Sequence, residues 1–332
     1  MKKSLTLKFI ALFILASVML TAFSGCDMLS FLLGFESSSE SSESSESSAP
    51  ESSNPSSSGS SQGSGESSSF IPSTSSSPEN SFSSQPEDGV QREDFVDEIA
   101  THHGKNKDTV GWLSVPGTDI YDVVVQGKDN DYYLRKNNLG KYDYDGCYFA
   151  DYESTMGDRN RLSRNTIIYG HNLGYLGVLK DDARSDKFGP LFNFLDEEFV
   201  ESHPYIYFST AEEDMVWEVF AVYYTEAAMG SYNPQFKFNL VNVSDSDFEY
   251  MIAESLKRSI WDYGIEPSVD DKILTLSTCS YKYGTVRING TLEMKTRFNV
   301  VARLVEDDVV LDPTVEVERN NAKEPILPDS YK

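Results

Sequence analysis

Leu274-Thr275-Leu276-Ser277-Thr278-Cys279 is a short apolar, β-branched run that ends in a single cysteine. Such a run, entered from the Asp270-Asp271 cluster, reads as a buried strand. The only other cysteines in the 332 residues are Cys26 and Cys147. A lone thiol delivered by a strand is therefore read as a nucleophile rather than as half of a disulfide framework. Cys147 opens another strand-like run and is read as a small core side chain, since a disulfide to Cys279 would abolish the nucleophile.

Working outward, similar runs occur at Val110–Val115, Tyr121–Val125, Cys147–Ala150, Asn165–Tyr169, Tyr205–Ser209, Val216–Tyr224, Lys272–Cys279 and Arg297–Val305, separated by Gly, Asp and Asn clusters. Phe95, Val96, Ile99 and Ala100 share one helical face and predict a short N-terminal helix. Leu191, Phe192, Leu195 and Phe199 predict a second helix over Leu191–Val200. A third follows Ser244 or Asp245 as N-cap, with Phe248, Met251, Ile252, Leu256 and Ile260 at helical spacing. Many short strands with few helices imply a closed or nearly closed barrel.

The ends of the chain read differently. Lys2 and Lys3, a largely apolar stretch over 5–23 and the small residues Ser24 and Gly25 before Cys26 have the form of a secretory signal. Phe23-Ser24-Gly25-Cys26 resembles a bacterial lipobox, which would make Cys26 the lipidation site; the same stretch, at the short end of a bilayer span, would also serve as an uncleaved membrane anchor. From Glu36 to about Glu87 the composition collapses to Ser, Glu, Pro, Gly and Asn and buries too little to offset ordering, so residues 27–90 are read as a disordered tether, its low-complexity part having a reach of roughly 40 Å. Residues 91–311 are long enough for one domain with its own core, and 312–332 form a polar C-terminal tail. The formal charge of −25 is spread along the chain and gives no nucleic-acid surface. No phosphate loop and no zinc-like His/Cys spacing is present, so no metal or organic cofactor is expected.

Two partners for Cys279 stand out. His171 follows Ile167-Ile168-Tyr169-Gly170, where an apolar strand ends at a glycine and then presents an imidazole, as a catalytic base would be presented. His102, His103 and His203 lie in helix-exit and turn contexts. Arg297 opens the alternating run Thr296–Leu304, which on a barrel would lie close to the cysteine strand.

Cys279, His171 and Arg297, with their flanks, resemble the active site of sortases, most closely class B. Asp108–Leu113, Pro116-Gly117-Thr118, Val124-Val125-Gln126, Asn130 through Leu134, Asp145–Tyr152 and Tyr169–Asn172 are similar to class B segments in the same order. The resemblance spans about 95–306. It implies an eight-stranded β-barrel with an N-terminal helix and a helix in the loop between two late strands. It also implies a cysteine transpeptidase with Cys279, His171 and Arg297 as catalytic residues and with Ser277, Asn130 and Leu134 lining the substrate groove. The family arginine usually stands nearer the cysteine, so Arg287, beside the turn-like Ile288-Asn289-Gly290, is the alternative; Gly284–Lys295 reads as an insertion.

The reaction so implied is thiolate attack on a threonine-containing sorting signal near the C-terminus of a secreted protein, followed by transfer of the acyl group to an amine. The partners are then proteins bearing such signals, a peptidoglycan precursor or a pilin lysine as acceptor, and the membrane through the N-terminal segment; nucleic acid is not among them. The expected place is the outer face of a Gram-positive-type cell membrane. A pilus-assembling sortase, a secreted cysteine protease and a non-enzymatic envelope-binding protein on the same scaffold remain as alternatives.

Overall fold

In a computed structural model, residues 92–331 are described. The expected signal, the Cys26 lipidation site and the whole tether lie outside the described residues. Eight strands form a closed barrel: β1 (Thr109–Ser114), β2 (Tyr121–Gln126), β3 (Tyr148–Ala150), β4 (Asn165–Tyr169), β5 (Tyr205–Thr210), β6 (Val216–Glu226), β8 (Ile273–Ile288) and β9 (Thr291–Leu304). Around the barrel the order is β1-β2-β3-β4-β8-β9-β6-β5, and β5 closes it by pairing with β1. The β2/β3 and β4/β8 pairs are parallel and the others antiparallel.

The central strands are buried on both faces, which is why β4 and the first half of β8 read as nearly continuous apolar runs. Leu274 and Leu276 join Ile168, Trp217, Val222, Phe298, Val300 and Ala302 in the principal core cluster. Ile273, Ile167, Tyr169, Ala221, Tyr223 and Val301 belong to a second cluster, against which the longest helix packs Phe248, Met251 and Ile252.

That helix, α3 (Asp245–Arg258), lies between β6 and β8, in the expected loop between late strands. Its start is decided locally: the Ser244 hydroxyl accepts a 3.2 Å hydrogen bond from Asp247 N. The N-terminal helix α1 (Val96–Lys105) docks Ile99 beside Trp112 and Val123.

Two expectations are corrected. The single helix over Leu191–Val200 is instead a 3-10 turn, Gly189–Leu195, followed by α2 (Glu197–Ser202). Asp196 divides them, with extended backbone (φ −94, ψ 131) and a carboxylate that accepts from Phe199 N at 3.1 Å, so its cap outcompetes the apolar periodicity. The strands expected to end at Cys279 and to begin at Arg297 instead continue through Gly284–Lys295, the outer half of the β8/β9 hairpin. The turn at Asn289-Gly290 was legible; both residues have positive φ, 50 and 91, as a two-residue hairpin turn requires.

The segment from Asp312 onward returns across the domain. Val315 N donates to Glu201 O at 2.9 Å, β10 (Glu318–Arg319) pairs with β7 (Trp261–Asp262), and Lys323 N donates to Lys257 O at 2.8 Å. No helix among the described residues is long and apolar enough to cross a membrane.

Candidate active site

The registers of four neighbouring strands decide which residues share a level. Tyr169 of β4 pairs with Ser277 of β8, Ser277 with Asn299 of β9, and Asn299 with Tyr223 of β6. Side chains repeat on the same face every second residue. One step further along, Cys279 pairs with Arg297, and Arg297 with Thr225. His171 stands two residues beyond Tyr169, as Cys279 does beyond Ser277. The three residues singled out in the sequence are thereby brought to one level at the end of the parallel β4/β8 pair. Arg287 lies elsewhere, exposed on the outer hairpin, with Nη1 donating to Gly290 O at 2.6 Å.

The chain around His171 is tightly determined. Gly170 donates its N–H to Ser277 O at 3.4 Å and accepts from Thr278 Oγ1 at 2.8 Å. A Cβ on Gly170 would come within 2.7 Å of the Phe188 ring, so only glycine fits before the histidine. His171 Nε2 donates to the Leu134 carbonyl at 2.8 Å. With the proton on Nε2, Nδ1 is the ring nitrogen that exchanges a proton. The imidazole is 3% exposed, and burial lowers its pKa to about 4, opposed by the bond to Leu134 O and reinforced by the charges of Arg135, Arg297 and Lys187. At neutral pH it is an uncharged base.

Arg297 has its guanidinium carbon 5.8 Å from the centre of the Tyr169 ring. Burial lowers its pKa, against the pull of the Tyr169 hydroxyl, and it remains cationic. Tyr169 OH donates to Asp151 Oδ2 at 2.9 Å, and the same oxygen accepts from Asn130 Nδ2 at 2.9 Å. Asn130 Oδ1 accepts from Tyr152 N at 3.0 Å, so both ends of its amide are held by protein groups. Leu134, half-buried, meets the site through its carbonyl on His171. Ser277 is fully buried, and its hydroxyl has no hydrogen-bond partner among the described residues.

Cys147 is free and buried, with its thiol pushed up to about 12 chiefly by burial, as an inert core side chain should be. His103 bonds to Thr109 O, His102 packs on Trp112, and His203 stacks on Phe199. Sequence reasoning missed the support around the site. Gly146, at φ +62, lies against it: a Cβ would meet Leu134 O at 2.8 Å and His171 Cδ2 at 3.2 Å. Asp151 and Asp181 carry no local signal of their roles, because their partners are distant in the chain. Among the described residues, no group of three His, Cys, Asp or Glu could hold a metal.

Comparison with protein-family models gives no match. Among individual proteins, the chain is 34% identical over 203 residues to Sortase B of Listeria monocytogenes, covering 60% of this chain and 75% of that one. It is 28% identical over 201 residues to Sortase B of Staphylococcus aureus, covering 60% and 72%. Among solved structures, a Staphylococcus aureus sortase B-substrate complex is similar with a TM-score of 0.52 and 26% identity, over 67% of this chain and 88% of that one. A crystal structure of Sortase B complexed with triglycine gives the same TM-score and identity over 64% and 88%. An identity of that size across three quarters of the Listeria enzyme, on the same barrel, means that the chain belongs to the sortase family, is most similar to class B, and is a cysteine transpeptidase.

Proposed function

We propose that Cys279 is the nucleophile, His171 the general acid and base, and Arg297 the stabiliser of the oxyanion. The observation that carries this reading is the register: Cys279 pairs with Arg297 on one side, and on the other the Tyr169/Ser277 pair ends the parallel ladder two residues before His171 and Cys279. The Cys279 thiol gives its proton to His171 Nδ1, and the sulfur attacks the carbonyl carbon of the scissile bond. Arg297 faces the negative charge that develops on the carbonyl oxygen. As the C–N bond breaks, the proton on Nδ1 passes to the leaving amine and a thioester remains. An incoming amine then loses a proton to Nδ1 and attacks the thioester; the C–S bond breaks, and the new amide leaves. The thiolate is reprotonated from Nδ1.

The substrate is a threonine-containing sorting signal near the C-terminus of a secreted protein, and the acceptor is a cell-wall peptidoglycan amine. Two similar solved structures, one a sortase B-substrate complex and one a Sortase B complexed with triglycine, support peptide and amine chemistry of this kind. Ser277, with its buried and unpartnered hydroxyl, contacts the bound peptide, whereas Asn130 and Leu134 shape the groove indirectly, through Asp151 and His171. The enzyme works at the outer face of a Gram-positive-type cell membrane, held by its N-terminal segment and extended on the Ser/Glu-rich tether, a reading supported by the composition of residues 1–90.

The test is incubation of the protein with threonine-containing signal peptides, with and without an amine acceptor, beside Cys279→Ala. Cleavage that requires Cys279, with a ligated product only when the amine is supplied, is expected. Cleavage to a free acid at the same rate with or without amine would make the protein a protease and refute the transfer step.

A further inference from the structure

Cys279 stands just before the place where its strand loses regular support. Pairing of β8 with β9 holds from Ile273 to Ser280 opposite Thr296, then resumes only at Thr285 opposite Met294. Between these points β8 has more residues than β9 can match, so the ladder cannot fix the chain that leaves the cysteine. Pairing of β4 with β8 has also ended, at Tyr169 and Ser277, two residues short of His171 and Cys279. His171 thus lies beyond the end of its strand, and beyond the Gly170 bonds to Ser277 and Thr278 no ladder pair joins it to Cys279.

Side chains tie the two segments there, and one carboxylate gathers most of the ties. Asp181, in the loop that follows β4, accepts from Tyr281 N at 2.8 Å on Oδ1 and from Ser280 Oγ at 2.6 Å on Oδ2. Its Oδ1 also accepts from Asn172 Nδ2 at 2.9 Å, and the same Asn172 amide donates to Cys279 O at 3.1 Å. The carboxylate therefore grips the residue after His171 and the two residues after Cys279. Three donors converge on it, which suits a group that only accepts. Tyr281 OH, donating to Asn172 O at 3.1 Å, adds a second tie between the same two segments.

We infer that Asp181 is a positioning residue for transpeptidation: by joining Asn172 to Ser280 and Tyr281, it holds the Cys279 sulfur and the His171 imidazole at the separation that proton transfer needs. The inference rests on the catalytic reading of Cys279 and His171. It explains why a carboxylate is placed beside a thiol without touching the reacting atoms: its work is geometric. A displacement of about 1 Å at such a centre lowers the rate on the order of 100-fold.

The experiment compares kcat and KM of the full chain, in detergent, for Asp181→Ala, Asp181→Asn, Asn172→Ala and Cys279→Ala. Asp181→Ala is expected to lower kcat roughly 30- to 100-fold while KM for the peptide changes less than about 3-fold. Asp181→Asn keeps Oδ1 for Tyr281 and Asn172, and its amide can donate to the Ser280 hydroxyl, so it should recover most of that loss. Combining Asp181→Ala with Asn172→Ala should add little to either alone, because both break one chain of bonds. Normal kcat in Asp181→Ala, a loss confined to KM, or Asp181→Asn as inactive as Asp181→Ala would each overturn the inference, the last by making the charge rather than the geometry responsible. If Asp181→Ala does not fold, Asp181→Asn and Ser280→Ala decide: the inference requires Ser280→Ala to lower kcat more than Asp181→Asn does, and equal, unimpaired kcat in both refutes it. Activity retained in Cys279→Ala would instead refute the catalytic reading itself.

Discussion

The two halves of β8 are built on different principles. From Ile273 to Tyr281 every residue is buried, with β4 on one side through Ser277, β9 on the other, and α3 packed against the Ile273 end. From Lys282 to Ile288 no residue is buried, and only β9 pairs with it. Cys279 belongs to the first half and lies two residues from its end. The proposed nucleophile is thus held in the part of the strand that packs on both sides, close to the point where that support ends.

That contrast can be broken at several points. Replacing the group at the boundary has the largest expected effect: Cys279→Ala should lower ligation on the order of 10⁴-fold or more with an unchanged melting temperature, measured by peptide ligation beside calorimetry. Truncating the support of the buried half should damage stability first. Phe248→Ala removes the helix side chain packed in the cluster with Ile273 and Val301 and should cost about 3–5 kcal/mol in denaturant unfolding, with kcat of the folded fraction retained.

The two arginines separate the halves chemically. Arg297→Ala should lower kcat/KM roughly 100- to 1000-fold, as loss of one oxyanion donor does, whereas Arg287→Ala on the outer hairpin should change it less than about 2-fold. Equal effects would erase the distinction between the halves.

The buried half also carries a pH signature. His171 titrates near 4 when folded and near 6.5 when unfolded, so between these values the unfolded chain binds more protons. Its contribution is therefore fully present above pH 6.5 and is lost as pH falls toward 4, by roughly 3 kcal/mol. Unfolding measured across that window should show this slope, and His171→Gln should flatten it. The smallest effect belongs to the hairpin tip: Gly290→Ala, at φ +91, should cost about 1 kcal/mol and leave ligation unchanged.

How much of this was legible depends on the range of the signal. The eight strands, the Ser244 cap and the Asn289-Gly290 turn announce themselves within a few residues, because alternation, capping and positive-φ preference are local. The Leu191–Val200 reading failed at Asp196, where one carboxylate capturing one backbone amide outweighed a correct apolar period. Extension of the hairpin through Gly284–Lys295 was missed because its alternating runs, Val286-Arg287-Ile288 and Leu292-Glu293-Met294, are only three residues long and are broken by Gly284 and Asn289-Gly290. Arg297 and Arg287 are both strand arginines in sequence, and only the register, set by packing along the whole β8/β9 ladder, puts one of them opposite Cys279.

The sequence by itself determined the kinds of group available: a thiol at a strand end, an imidazole after a glycine, a barrel's alternating apolar runs, and through them the family. Tertiary structure decided their relation. The level shared by His171, Cys279 and Arg297, the proton left to Nδ1 by the Leu134 carbonyl, and the Asp181 anchor all join residues tens of positions apart in the chain. No local propensity encodes such pairings, because closing long loops becomes favourable only when the whole core is buried at once.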